Sequence, residues 1–270
     1  MLLVALLRPP GHPDDAAAAL AEASGLTRAE ARMRLAPEPP ALLARLEPQG
    51  ANALVGALRK VGLSVLAIEI PCPTDQDRLP VHRFSLGAVG ATFTARSGET
   101  LQFAWPEVLA VLRGVRAART DVTRPERSKS FSLARAVLTG GMVLSRTSTK
   151  TVHSSSETTE QVILLYLRDG RAAATLAEHE LEFSCLGPGM EPSSARNLTE
   201  LARRLREHAK GAYYDERLLR LGRRPLPFLM GGVESRSDAG GVVVVRSDTG
   251  DSLDVLAEVM RQAVAEGFLP

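Results

Sequence analysis

The chain has 270 residues, 44% apolar and 24% charged, which is enough to bury one large core or two of ordinary size. Its 33 Lys and Arg against 31 Asp and Glu leave a net charge of +2, unlike a nucleic-acid coat protein or an acidic tail. Two cysteines, Cys72 and Cys185, exclude a disulfide scaffold, and no apolar run reaches the roughly 18–20 residues that cross a bilayer.

The opening Met1–Leu7 is apolar, but Arg8-Pro9-Pro10 stands where an export signal needs small residues, and no basic stretch precedes it. A buried first strand is the better reading, with the cytoplasm as the default location. The excess of Arg over Lys, 29 to 4, together with abundant alanine, suits a GC-rich bacterial genome. Asp14 and Asp15 open a short helix closed by Gly25. Thr27 and Glu30 have the spacing of a capping box, so a second helix should run to about Leu35, where prolines stop it. Ala41–Leu46 extends as a strand. Ala51, Leu54, Val55, Leu58 and Val61 then fall on one helical face, ended by Gly62, and Leu63–Ile70 completes a third strand.

Ser24–Arg32, the proline-rich Ala36–Pro40, and Ala53–Gly62 followed by a strand resemble the C-terminal domain of the bacterial ribosomal stalk protein and the related Clp adaptor (ClpS-like) fold. That resemblance implies a β-α-α-β-α-β docking module over residues 1–71 that binds proteins and is not a catalyst. The family's partners do not come with it. Ala29 stands where the stalk pattern has a lysine, and no degron-pocket signature occurs near Arg8–Asp15. The expected contact is an apolar groove beside the third helix, with Leu54, Val55 and Leu58 as partner-binding residues.

Pro71–Asp77 reads as a linker, with 72–77 as the boundary segment. Val81–Leu86, Gly90–Arg96 and Leu101–Trp105 then read as short strands, and Val108–Val115 as another. Val162–Leu167 and Ala172–Cys185 pair as strands, and the amphipathic helix carrying Leu198, Leu201, Ala202 and Leu205 follows. Phe131–Leu144 is ordered but of ambiguous type because of Gly140-Gly141. This order, with the Trp105-centred strand, resembles a bacterial pleckstrin-homology (PH)-like barrel over residues 78–222 with a C-terminal capping helix. Phosphoinositide binding is not implied, because the loop around Ala88–Gly90 carries no charge. Residues 223–270 form a strand–helix extension: Val242–Arg246, then a helix capped by Asp251 and stopped by Gly267. It docks on one of the domains. The fold class is therefore α+β.

Residues 113–160 hold 9 basic against 4 acidic side chains, and this segment carries the positive surplus. Arg113, Arg116, Arg119, Arg124, Arg127, Lys129 and Arg135 form a candidate cationic loop for an anion or an acidic partner. Aromatic stacking residues are missing there apart from Phe131, which argues against nucleic acid. The Ser/Thr-rich stretch Ser145–Thr159 reads as a mobile hairpin tip, and also as a phosphorylation target. The five histidines lack metal-site spacing, and no nucleophile elbow, phosphate loop or dinucleotide fingerprint occurs, so no metal or cofactor is expected. His179 among Glu178, Glu180 and Glu182 fits one exposed strand face. The chain thus reads as a non-catalytic adaptor or regulatory protein with an unidentified protein partner. A peripheral regulator binding an anionic membrane surface through 113–135, and an enzyme built around His179, stay open beside it.

Overall fold

The computed structural model describes residues 1–131, 145–170, 173–223, 226–228, 233–237 and 243–270. The chain folds as two compact units. The larger contains Met1–Ala117, Thr159–Met230 and Thr249–Pro270, and the smaller Ala118–Thr158 and Gly231–Asp248.

The larger unit opens with the expected order β1 (Leu2–Leu6), α1 (Pro13–Ser24), α2 (Arg28–Leu35), β2 (Ala41–Leu46), α3 (Pro48–Lys60), β3 (Val65–Glu69). Strand β1 lies between β2 and β3 and is antiparallel to both. The capping box forms as predicted: the Glu30 amide donates to the Thr27 hydroxyl, and the Glu30 carboxylate accepts from the Thr27 amide. The β1 sequence is apolar at every position because both faces of this small sheet are covered. Val4 and Leu6 face α1 and α3, while Leu3, Ala5 and Leu7 face the other way.

The second sheet of this unit is built from β4 (Leu79–Leu86), β5 (Gly90–Ala95), β6 (Thr100–Ala104), residues 108–117 of β7 (Val108–Phe131), residues 159–167 of β8 (Ser145–Leu167), β9 (Ala173–Ala177) and β10 (Tyr213–Asp215). Its order is β10-β7-β8-β9-β4-β5-β6, with β9 parallel to β4 and β10 parallel to β7. Strand β8 shows why a continuous apolar run is needed. Ile163, Leu165 and Leu167 point into the core under α4 (Ser194–His208), and Val162, Leu164 and Tyr166 enter a second core on the opposite face. The expected PH-like barrel does not close: among the described residues β6 pairs with β5 alone, so the sheet is open at that end. The capping helix of that expectation is present as α4, covering one face. A short helix, α5 (Leu218–Leu221), supports the other face.

The C-terminal helix, α6 (Gly250–Ala265), joins the two layers. Leu253, Leu256, Ala257 and Met260 pack on the outer face of the large sheet, and Val255, Val259 and Ala263 on the open face of the small one. It approaches the large sheet over Gly114, where a Cβ would lie 2.5 Å from Leu253 Cδ1. The expected cap, Asp251, lies inside the first turn, and Thr249 holds the N-cap position. The Thr249 hydroxyl accepts from the Ala117 amide at 3.0 Å, anchoring the helix start to β7.

A polar stripe of α6 meets the segment read as a linker. The Arg78 side chain is fully buried; it donates to Asp254, to Asp75 and to the Pro73 carbonyl, and its guanidinium lies 5.8 Å from the Tyr166 ring centre. Asp75 also accepts from Arg116 and, at 3.1 Å, from Thr175. Residues 74–78 are thus a fixed strap, capped by reciprocal Thr74–Asp77 bonds. Cys72 lies half-buried beside it, and burial, with Glu258 and Asp254 nearby, pushes its thiol up to about 12. Cys185 is exposed. A thiol reagent at neutral pH should therefore modify Cys185 rapidly and Cys72 only as the protein unfolds. Equal rates in the native protein would contradict this burial.

The smaller unit is a four-strand antiparallel arrangement ordered β11 (Val233–Ser237), β12 (Val243–Asp248), β7, β8, to which β7 gives residues 118–131 and β8 residues 145–158. This corrects two expectations. The basic stretch after Val115 is strand up to Phe131, not loop, and 145–159 is strand, not a mobile tip. The ordered segment expected over Phe131–Leu144 lies, beyond Phe131, outside the described residues.

Candidate functional site

Strands β4, β5 and β6 form a meander whose inner face is apolar and whose outer face is small and polar. Ala91, Phe93, Ala95 and Phe103 point inward, while Thr92 stands opposite both Ser85 and Gln102, and Gly90 opposite Ala104. The inner aromatics interlock edge to face, Phe93–Phe103 at 5.1 Å and Phe103–Trp105 at 5.9 Å, and Trp105 stacks on His208 at 4.8 Å. Trp105 also fixes the β4–β5 turn, donating from its indole Nε1 to the Gly87 carbonyl at 3.0 Å and from its amide to Val89 at 3.2 Å.

These small residues leave a groove of about 550 Å³ on the outer face, lined by Ser85, Gly87, Val89, Thr92, Gln102 and Glu107 among others. Val89 at its end is 82% exposed. Gly90 is required here: a Cβ would lie 2.1 Å from the Phe103 carbonyl oxygen. Gly90→Val should therefore push β6 off β5 and destabilise the protein by roughly 1–3 kcal/mol. A lowered urea midpoint checks this, and an unchanged midpoint would contradict it.

Among the described residues, strand β6 is the free edge of the sheet. The Trp105 amide bonds Val89 and the Ala95 amide bonds the Glu99 carbonyl, so antiparallel alternation turns the Leu101 and Phe103 amides and carbonyls toward β5. The backbone groups of Thr100, Gln102 and Ala104 therefore point outward. The Ala104 amide is met by the Glu107 carboxylate at 2.8 Å, which ends the usable edge. What remains can pair with three to five residues of an extended chain.

The residues singled out from the sequence lie elsewhere. Leu54, Val55 and Leu58 are buried in the core of the small sheet, and Val61, past the end of α3, is exposed. Arg113 is buried, pairing with Glu216 at 2.8 Å and donating to Thr199 at 3.0 Å and Gln161 at 3.3 Å. The Tyr214 hydroxyl and Arg113 together hold the Glu216 carboxyl below its usual range. Arg116 belongs to the Asp75 strap. Arg119 pairs with Asp121 at 3.0 Å, and Arg124 is exposed. Arg127 and Lys129 stand on β7, and Arg135 lies outside the described residues. The structure thus divides the expected cationic cluster between two ion-paired arginines of the larger unit, Arg113 buried and Arg116 half-buried, and the strands of the smaller unit.

His179 sits in a turn after β9, not on a strand face, and its amide donates to Glu160 at 3.2 Å. The neighbouring glutamates diverge: Glu178 accepts from Ser194 at 2.6 Å, Glu180 pairs with Arg96 at 3.3 Å, and Glu182 pairs with Arg83. Arg83 and Ser184 hold the Glu182 carboxyl below its usual range. Among the described residues no group of three His, Cys, Asp or Glu is placed to hold a metal, and no helix is long and apolar enough to cross a membrane.

The free edge was missed because a strand's place in the sheet order is not a local property. The alternation Thr100-Leu101-Gln102-Phe103-Ala104 predicted the strand and not its position. Comparison of the chain with protein-family models, curated proteins and solved structures gives no match, so this geometry stands alone as the ground for a functional reading.

Proposed function

We propose that this chain is a non-catalytic adaptor that holds an extended segment of a partner protein as an added strand on β6. The observation that carries the reading is the outward row of backbone groups at Thr100 and Gln102, continued by the Ala104 carbonyl, beside a groove of small polar residues. Ser85, Thr92 and Gln102 offer hydroxyls and an amide for side-chain selection, and Val89 offers an apolar contact at the groove's end. The β-α-α-β-α-β order of residues 1–71, similar to that of stalk and ClpS-like docking modules, agrees with a binding role.

Gln102→Pro tests it. Proline removes an amide that points away from β5, so the internal ladder survives while the edge loses a donor. Full-length protein and this variant would be used as baits in the native host's lysate, with Trp105 fluorescence checking the fold. A stoichiometric partner held by the wild type and lost from the variant is expected. A partner held equally by both would place the contact elsewhere, and no partner for either would sink the adaptor reading.

A further inference from the structure

The net positive charge of the chain lies wholly in the smaller unit, whose sequence has nine Lys and Arg against six Asp and Glu; the remainder has 24 against 25. Within its strands the charge is uneven. Arg119 is answered by Asp121, whereas positions 124–131 of β7 and 145–150 of β8 hold Arg124, Arg127, Lys129, Arg146 and Lys150 with Glu126 as the sole acid. Arg124 has the opposite parity to Arg127 and Lys129, so basic residues occupy positions on both faces of β7.

Along this ribbon, Arg124 of β7 and residues 153–158 of β8 are exposed. Its remaining positions are largely Ser and Thr, donors suited to phosphate oxygens. The unit has no Asn or Gln, and Phe131 is its one Phe, Tyr or Trp, so it lacks the row of aromatic rings on which single-stranded bases stack. The basic surplus and the hydroxyl donors match the surface of an anionic bilayer.

We infer that the β7–β8 ribbon docks the protein on anionic phospholipid headgroups. Each basic residue near such a surface strengthens adsorption about fivefold, so neutralising three should weaken it on the order of 100-fold. The attraction is screened by salt.

The test is cosedimentation of full-length protein with phosphatidylcholine vesicles, with and without phosphatidylserine, at low and high salt. Arg124→Gln/Arg127→Gln/Lys129→Gln is compared with wild type, and Arg146→Gln/Lys150→Gln serves as a second variant on the facing strand. Expected are binding that requires phosphatidylserine, falls with salt, and drops roughly 100-fold in the triple variant and 25-fold in the double. Equal binding to neutral vesicles, no binding to either, or variants that bind like wild type would overturn the assignment. So would displacement from phosphatidylserine vesicles by a single-stranded oligonucleotide at lower concentration than by added lipid.

Discussion

Arg78→Met should cost about 3–5 kcal/mol of stability, among the largest losses from any single replacement in this chain. The side chain is fully buried, and its removal leaves Asp254 desolvated without its cation, while Asp75 keeps Arg116. Burial already pushes the Asp254 carboxyl up, opposed by the pull of Arg78. Without Arg78 that opposition vanishes and the folded-state value climbs further above the unfolded value of 3.8. An acid raised in the folded state contributes stability that is present below the unfolded value and lost as pH rises through the folded one. The deficit of Arg78→Met should accordingly shrink as the pH is lowered from neutrality toward 4. Pairing it with Asp254→Leu should recover most of the loss at neutral pH, because a fitted apolar pair needs no desolvation. Urea unfolding followed by Trp105 fluorescence reads both effects. A single variant as stable as wild type would show that the strap does not depend on the pair.

Truncation before Thr249 should abolish cooperative unfolding altogether. Helix α6 supplies core to two sheets at once, so its loss uncovers Leu109, Leu112, Val162 and Leu164 on one and Leu3, Leu42, Leu66 and Ile68 on the other. Leu256→Ala is the graded version. Leu256 is fully buried, and the replacement should lower stability by about 2–5 kcal/mol through lost transfer energy and the cavity left behind. Binding of a hydrophobic dye by the truncated chain, with loss of the sharp urea transition, is the expected result. A truncated chain that unfolds cooperatively at the wild-type midpoint would mean that each sheet closes its core without α6.

The β-α-α-β-α-β order was legible because its signals are local. The Thr27–Glu30 capping box lies within one turn, and Ala51, Leu54, Val55 and Leu58 announce their buried face by spacing alone. The same spacing could not say what that face meets. A stripe that packs on its own sheet and one that waits for a partner have identical periodicity, so the expected docking residues turned out to be core. Arg113 and Arg116 carried a similar ambiguity: as charges they suggest surface, although Arg113 interrupts the apolar run Val108–Val115. In the smaller unit only β12 was legible, from its run of valines; β11 and the outer parts of β7 and β8 escaped notice because they lack apolar alternation, and their hydrogen bonds come from backbone that every sequence shares.

Local sequence signals suffice for the α+β class, the order of elements through residue 115, the helices α4 and α6, and the concentration of positive charge after residue 113. Those follow from propensity, capping and periodicity within a few residues of chain. Tertiary structure decided that the large sheet stays open with β6 at its edge, that α6 joins two layers, and that Arg78 and Asp75 turn a proline-bracketed segment into a strap. Each of these depends on residues far apart in sequence: Arg78 meets Asp254 across 176 positions. Such pairings are selected by shape and desolvation once the elements assemble, and no local pattern encodes them.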